Sequence, residues 1–480
     1  SDINSLEIAL DFQVRRATAG MRRTLILSDI LQSGMLPATL YRKVSQILMH
    51  KGVDRLIGIG PEISACEKSF GMDAEFYLTT DSFLNSGATE RFNNELILIK
   101  GSRDFHFEQI SEALELKQHE TILEVNLDAL IDNFNFYRQK LKPETKIICM
   151  VKAFGYGAGS YELAKSLQDR GCDYLAVAVA DEGAELRKAG ITMPIMVMNP
   201  EMNSTLFSYS LEPEIYSFKL LKAFSKEAEQ LGIMHYPVHI KIDSGMHRLG
   251  FTFEDMPLLV NELSAMPSIR ARSVFSHFAG SDEARFDDFS LRQIAIFKDC
   301  ARIIQNVTPF PIMRHILNTA GISRFTDEQM EGVRLGLGLY GISPIGNEPG
   351  LRNVSTLKTT ILQIKELNAD QTVGYSRRGV LSRKSRIAAL PIGYADGVDR
   401  HLGNGKGYVI INGRQAPYVG NICMDVCMVD VTDIDCQEGD KVEIFGDQLS
   451  VCVLAKWLDT IPYEILTSVS SRVKRVYYRE

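Results

Sequence analysis

The sequence predicts an α/β protein: a (β/α)8 TIM-type barrel, preceded by a small Rossmann-like α/β domain and followed by a mostly β domain. Three observations predict it. Short apolar runs alternate with amphipathic stretches over residues 1–118, the pattern of a parallel sheet covered by helices. Eight further strand–helix units lie within 119–350, the number a closed barrel needs. From about 351 to 480 the helical periodicity gives way to short strands and turns such as Asn412-Gly413.

The chain has 480 residues, 45% hydrophobic and 24% charged, as in ordinary globular proteins. Its 53 basic and 60 acidic residues leave a net charge of −7, which argues against nucleic acid or an anionic membrane as the main partner. No run approaches the ~18 apolar residues of a membrane helix. No signal-peptide pattern stands at Ser1. Eight cysteines are scattered without a CxxC pair, and nine histidines show no metal-ligand spacing. A cytoplasmic protein without a metal is the expectation.

In the first domain Asp2 to Phe12 reads as a helix with Leu6, Ala9 and Leu10 on one face. Thr24 to Ser28, Arg55 to Gly60, Ala74 to Leu78 and Glu95 to Lys100 read as strands, Ala38 to His50 and Phe107 to Leu116 as helices. Lys100-Gly101-Ser102-Arg103 is either an anion-holding turn or a solvated one. Ile26-Leu27-Ser28-Asp29-Ile30-Leu31-Gln32-Ser33-Gly34 and Leu98-Ile99-Lys100-Gly101-Ser102-Arg103 resemble the C-terminal domain of UDP-N-acetylmuramoyl-tripeptide:D-alanyl-D-alanine ligases. Those ligases need a phosphate loop. The sole Gly-Lys dipeptide, Gly405-Lys406, is followed by Gly407 and lacks the upstream glycine, so no ligase activity is expected. Lys117 to Glu120 reads as a linker.

The expected barrel strands are Lys146–Val151, Tyr174–Val179, Ile195–Met198, Glu214–Phe218, Val238–Ile242, Ala271–His277, Met313–Leu317 and Gly332–Leu335. The first ends in Cys149-Met150-Val151-Lys152-Ala153-Phe154-Gly155-Tyr156-Gly157-Ala158-Gly159. A lysine at the mouth of a buried strand loses hydration, which favours its neutral amine. Such an amine forms a Schiff base with a carbonyl. The glycines let backbone N–H groups approach an anion. Pyridoxal 5′-phosphate (PLP) carries both groups. On its own the stretch reads more readily as a surface lysine after a strand. The other polar residues at C-terminal strand ends change that weighing: Lys241, Arg248, His277, His315, Asn318, Thr319 and Arg334.

In the last domain the expected strands are Thr359–Leu367, Ser385–Leu390, Gly407–Ile411, Met428–Val431 and Lys441–Phe445. Three polar islands interrupt them: Thr372 to Ser376, Ile392 to Gly397 and Asn421 to Asp425.

From about residue 121 onward the chain resembles alanine racemases. The Lys152 stretch carries the resemblance together with Lys241-Ile242-Asp243-Ser244-Gly245-Met246-His247-Arg248-Leu249-Gly250 and Val333-Arg334-Leu335-Gly336-Leu337-Gly338-Leu339-Tyr340-Gly341. The resemblance implies a PLP barrel and a β domain in a head-to-tail homodimer with shared sites, making D-alanine from L-alanine for peptidoglycan. It implies that Lys152 holds PLP as an aldimine and moves a proton on the D-side, while Tyr375 serves the L-side. A free tyrosine has a pKa of about 10 and needs cationic help, for which His277 and Arg334 are the candidates. Arg334 is expected to face the pyridine nitrogen, braced by His315. A guanidinium accepts no proton, so that nitrogen stays neutral and the ring is a weaker electron sink. Tyr156, Asn318, Thr319 and the backbone N–H groups of Gly336 and Leu337 are expected around the phosphate. Arg248 would lie near the phenolic oxygen and the substrate carboxylate, which the Met424 N–H also meets. Lys241 is a position some members carbamylate to orient Arg248. Tyr394 would line the entrance, with Cys423 and Asp425 in support. Ser471 stands where a tyrosine is common in the family.

Three alternatives share features of this pattern. A PLP decarboxylase of basic amino acids has the same architecture but benefits from a protonated ring, which Arg334 opposes. A broader amino-acid racemase fits the same residues. A non-enzymatic PLP carrier lacks the second domain and hence Tyr375 and Met424.

Overall fold

The structure, a computed structural model, describes residues 3–17, 21–31, 33–114, 121–346 and 348–480, without the side chains of Glu90, Arg103 and Glu112. The expected linker at 117–120 therefore lies outside the described residues. The chain forms two compact units, 1–118 and 119–480.

The first unit holds strands β1 (Arg22–Ser28), β2 (Arg55–Ile59), β3 (Asp73–Tyr77) and β4 (Glu95–Lys100), all parallel in the order β3-β2-β1-β4. Leu25 and Leu27 of β1 join Leu6, Leu10, Leu40 and Tyr41 in one core. Ile26, between them, joins Ile57, Phe83 and Phe107 on the other face. Alternate side chains point to opposite faces of a strand, so a near-continuous apolar run means that both faces are covered. The first helix, Ile3–Arg16, runs a turn beyond the expected end. The second, Pro37–Lys51, has proline in its first turn and stops at Gly52, which is left-handed and returns its N–H to the Leu48 and Met49 carbonyls.

The second unit opens with β5 (Ile122–Asn126) and then the barrel. Its strands are β6 (Lys146–Met150), β7 (Tyr174–Val177), β8 (Ile195–Val197), β9 (Glu212–Ile215), β10 (Tyr236–Lys241), β11 (Ile269–Phe275), β12 (Met313–His315) and β13 (Gly332–Leu335). They pair in the order β12-β11-β10-β9-β8-β7-β6-β13. Closure is nearly complete: β13 pairs with β6 from Gly332↔Lys146 to Leu335↔Cys149. Beyond β12, the Arg334 N–H donates to the Leu317 carbonyl at 2.9 Å.

β5 precedes the barrel in sequence but lies in the β sheet. It pairs with Ser355–Thr360 antiparallel and with Lys474–Tyr478 parallel. The barrel is thus an insertion between two adjacent strands of that sheet. The expected strand Thr359–Leu367 is two strands. The chain leaves the six-stranded sheet after Thr360 and joins a three-stranded one at Gln363. At the switch Ile361 is buried and Leu362 is exposed, and their N–H groups bond to Asp440 and Ala389 carbonyls on different partners. An apolar pair reads as strand continuation, so sequence alone hides the change of sheet.

Candidate active site at the barrel mouth

Lys152 follows the first barrel strand, two residues past Met150, and opens a tighter turn than its glycines alone suggest. Ala153, Phe154, Gly155 and Tyr156 all have φ of 50–57°, one turn of left-handed helix. Non-glycine residues pay roughly 1–2 kcal/mol each for that conformation. Neighbours hold it in place. Glu182 accepts from the Ala153 and Ala178 N–H groups at 2.7 Å each. Gly155 N donates to Val151 O at 3.0 Å, and Gly159 N to Phe154 O at 2.9 Å. From the β part, Arg475 Nε donates to Gly157 O at 2.9 Å. Gly157 and Gly159 are needed here: a Cβ would stand 2.2 Å from Leu466 O in the first case and 1.8 Å from Tyr477 Oη in the second.

The turn carries Tyr156 inward, where its ring packs on Tyr340 and Tyr463 at 4.5 and 5.4 Å between centroids. Its hydroxyl meets the end of β13. A Cβ on Gly336 would lie 3.3 Å from Tyr156 Oη and 3.8 Å from Thr319 Oγ1, and the Gly336 N–H donates to Thr319 Oγ1 at 3.0 Å. Asn318 caps the Thr319–Arg324 helix, accepting from Gly321 N and Ser281 Oγ at 2.9 Å each. The bare Gly336 backbone therefore faces two hydroxyls across a space the size of an absent side chain.

Arg334 is buried and held from several sides. Nη1 donates to His315 Nδ1 at 2.7 Å and to His315 O at 3.2 Å. Nη2 donates to Ser276 O at 2.6 Å, Ile316 O at 3.2 Å and His277 Nδ1 at 3.2 Å. Burial lowers its pKa to about 10, so it remains a cation at neutral pH. Burial pushes His277 well below its usual range, and Arg334, Lys241, Arg248 and Lys152 push the same way. His277 is thus displaced toward its neutral imidazole, against the cationic role expected of it. Lys152 is likewise lowered, first by burial and then by Arg248, with Glu182 and Glu214 opposing.

Lys241 is buried at the end of β10, its Nζ 4.3 Å above the Phe275 ring and 4.0 Å from Glu214 Oε1. Phe275 stacks on His315 at 4.8 Å, and the Arg334 guanidinium lies 5.2 Å from its centroid. Glu214 is 1% exposed, and its Oε1 is among the buried side-chain atoms without a hydrogen bond. Burial raises Glu214 to about 7 against the pull of Lys241, Arg334, Arg248 and Lys152. Burial lowers Lys241 to about 8, with Glu214 opposing. Both are displaced toward their neutral forms. Arg248 is exposed at the mouth.

The three polar islands of the β part present open side chains: Tyr375 is 72% exposed, Met424 53% and Tyr394 44%. The last two islands are locked together, with Tyr394 N donating to Cys423 O and Ala395 N to Met424 O at 3.0 Å each. A side chain on Gly393 would collide with both carbonyls. Asp425 and Asp396 share Arg472. Asn421 Nδ2 donates to Tyr375 O at 3.2 Å, in a turn where Ser376 and Arg377 have φ of 57° and 52°. Tyr394 borders a pocket of about 450 Å³ with Gly397, Asp399, Arg400, His401 and Ser468. Ser471 is exposed.

Two family models match this unit: alanine racemase, N-terminal domain, over residues 125–344, and alanine racemase, C-terminal domain, over 354–477. An alanine racemase of Clostridium novyi is 38% identical over 371 residues, covering 74% of this chain and 95% of that protein. Alanine racemase 2 of Caldanaerobacter subterraneus is 36% identical over 370 residues, 74% of this chain and 94% of the relative. The chain belongs to the alanine racemase family. Among solved alanine racemases, that of Clostridium difficile superposes with a TM-score of 0.71 at 34% identity, covering 76% of this chain and 97% of the other. That of Bartonella henselae, with covalently bound pyridoxal phosphate, gives 0.69 at 30% identity, covering 75% and 100%.

Beside the residues that the racemase resemblance named, the fold adds Glu214, Glu182, Ser276 and the histidine His239. Glu214 had little signal: it opens the expected strand Glu214–Phe218, and the observed strand Glu212–Ile215 carries a second acid, so only burial in the fold singles it out. Glu182 had none, since an acid early in a helix is ordinary.

Proposed function

We propose that this chain interconverts L-alanine and D-alanine, with PLP bound at the barrel mouth. One observation carries the reading: a lysine with a depressed pKa, two hydroxyls facing a bare glycine backbone, and a buried arginine converge at the C-terminal ends of the barrel strands. These groups fit the cofactor's aldehyde, phosphate and ring. Bound there, PLP supplies the electron sink that makes an α-proton of alanine removable near neutrality. Lys152 holds the aldehyde carbon and is the base on one face. Tyr156, Thr319 and the N–H groups of Gly336 and Leu337 hold the phosphate, with Asn318 fixing the Thr319 turn. Arg334 would stand toward the ring nitrogen, and a guanidinium there could accept no proton from it. That electronic arrangement favours racemisation over decarboxylation.

Tyr375 is the base on the other face. It stands in the open on the β part, so a second copy, packed head to tail, brings it to the Lys152 site. Arg248 and the Met424 N–H then hold the alanine carboxylate, and Tyr394 lines the entrance. Lys241, His315, Cys423 and Asp425 support these groups. The barrel spans 119–350 except for β5, and the β domain 351–480. Residues 1–118 are read as a relative of the C-terminal domain of the D-alanyl-D-alanine-adding ligases. The two matched stretches lie on β1 and β4, adjacent strands of its sheet. The D-alanine formed in the cytoplasm would feed peptidoglycan synthesis.

Incubating the PLP-loaded protein with L-alanine in deuterated water tests this. Deuterium at Cα together with D-alanine supports racemisation. Release of CO2 points to decarboxylation, and no exchange to a carrier.

A further inference from the structure

Arg334 begins a hydrogen-bonded series that descends through the barrel interior one strand at a time. From Arg334 on β13 it reaches His315 Nδ1 on β12 at 2.7 Å. His315 Nε2 lies 3.0 Å from Ser273 Oγ on β11, and Ser273 Oγ lies 2.6 Å from His239 Nδ1 on β10. His239 Nε2 lies 2.9 Å from Glu212 Oε2, at the start of β9 and hence at the opposite end of the barrel from Lys152. His315, Ser273 and His239 are fully buried. His239 and Ser273 are register partners, just past a register shift that leaves Arg272 of β11 without a partner.

The chemistry of the groups fixes the direction of every bond. Arginine has no acceptor, so His315 Nδ1 must accept and its proton sits on Nε2. Nε2–H donates to Ser273 Oγ. The single serine hydrogen then goes to His239 Nδ1, which leaves the His239 proton on Nε2, aimed at Glu212. A protonated His239 would donate from both nitrogens and leave the serine hydrogen without an acceptor in this series. All four bonds thus run from the cation to the carboxylate, the arrangement in which successive bonds polarise one another. Tyr174 closes the side of His239, edge-on at 5.9 Å, and its hydroxyl is taken by Arg272 Nε at 2.9 Å.

We infer that Ser273, His239 and Glu212 are positioning residues for Arg334: they fix the His315 tautomer, and through it the guanidinium that meets the cofactor ring. The cofactor end of this series rests on the function proposed above; the staircase itself does not. Ser273 is sealed in the barrel interior, and Glu212 starts β9 at the end away from Lys152.

The test uses the full-length holoprotein labelled with 15N-histidine. Signals of His239 and His315 are assigned from His239→Asn and His315→Asn variants. Solid-state 15N spectra should show both imidazoles neutral with the proton on Nε2. Ser273→Ala should scramble the His315 tautomer, weaken PLP binding and raise the transaminated fraction of turnovers, each by about tenfold, the scale of one lost buried hydrogen bond. Ser273→Thr and Ser273→Val have the same shape, so recovery by Thr alone assigns the effect to the hydroxyl. Glu212→Gln keeps an acceptor, and should hold the tautomers while moving PLP affinity the same way by less. A protonated or Nδ1–H His315 in the wild type overturns the staircase. Altered tautomers in Ser273→Ala with unchanged PLP affinity and product partition overturn its positioning role. A wild type that shows the tautomers but neither binds PLP nor racemises alanine refutes the proposed function and leaves the staircase standing.

Discussion

The sheet of the first unit and the mouth of the barrel both gather charges at strand ends, and they treat them oppositely. Among the described residues of the sheet, the buried Arg55 and Asp29 are partnered, the first by carboxylates and the second by N–H groups. Arg55 lies 2.5 Å from Glu75 and 3.7 Å from Glu95, which also accepts from Thr24. Asp29 is capped by the N–H groups of Ile63 at 2.7 Å and Glu62 at 3.1 Å. Burial alone would raise Glu75, but hydrogen bonds from Tyr77, Arg55 and Arg91 hold it below the usual range. The Lys100-Gly101-Ser102-Arg103 turn is packed as well: Ser102 N donates to Ser28 Oγ at 2.9 Å, and the Phe107 ring fills the place of a Gly101 side chain. At the barrel mouth Lys152, Lys241, Arg248 and Arg334 act on one another, and the buried carboxylate among them, Glu214, leaves one oxygen unbonded. Paired charges stabilise a fold quietly, whereas unbalanced, desolvated ones mark the place where chemistry is prepared.

The largest expected effect breaks the site itself. Lys152→Ala and Tyr375→Phe homodimers should each lose at least about 10²-fold in racemisation, the worth of a positioned acid–base group. A purified heterodimer of the two, separately tagged, should regain one competent site in two. Recovery of nothing would place both bases on one chain. Next in size, Arg334→Glu should slow racemisation by roughly 10²-fold, as for loss of a charged donor aimed at the reacting group. It should also raise the share of transamination, read as pyruvate formed per D-alanine.

A smaller effect separates the two regions by pH. Glu214 is raised from 4.5 to about 7 in the fold, so the folded state binds its proton more tightly. Its contribution is full below pH 4.5 and is lost as pH rises through about 7. Lys241 is lowered from 10.5 to about 8, so stability returns as pH climbs from about 8 toward 10.5. Glu214→Gln should therefore abolish a decline of about 1–3 kcal/mol between pH 5 and 7, measured as the pH dependence of the unfolding midpoint. An unchanged slope would remove Glu214 from the account. The smallest effect is expected from deleting residues 1–118. None of the proposed site residues lies there, so kcat for alanine should stay within a few-fold, roughly the range of an indirect perturbation. A collapse in a folded, dimeric truncation would show that the first unit serves the second.

By itself the sequence determined the parallel sheet of the first unit and the eight barrel strands in their order, because strand and helix periodicities are local; it ran two strands of the β part together at Thr359–Leu367. It also determined Lys152, Thr319 and Arg334 as strand-end residues, because apolar runs mark where barrel strands stop, while Tyr156 came from the racemase resemblance. Tertiary structure decided the rest. The left-handed course of Ala153 to Tyr156 depends on Glu182, Arg475 and Tyr477, which lie far away in sequence. β5 could be placed in the β sheet only through its pairing with strands beyond residue 350. Glu214 and the series from Arg334 to Glu212 take their meaning from side chains on successive strands facing one interior. No window of sequence holds those distances: only closing the barrel brings the groups out of water and into each other's reach, where burial sets their charge and their hydrogen bonds set the direction.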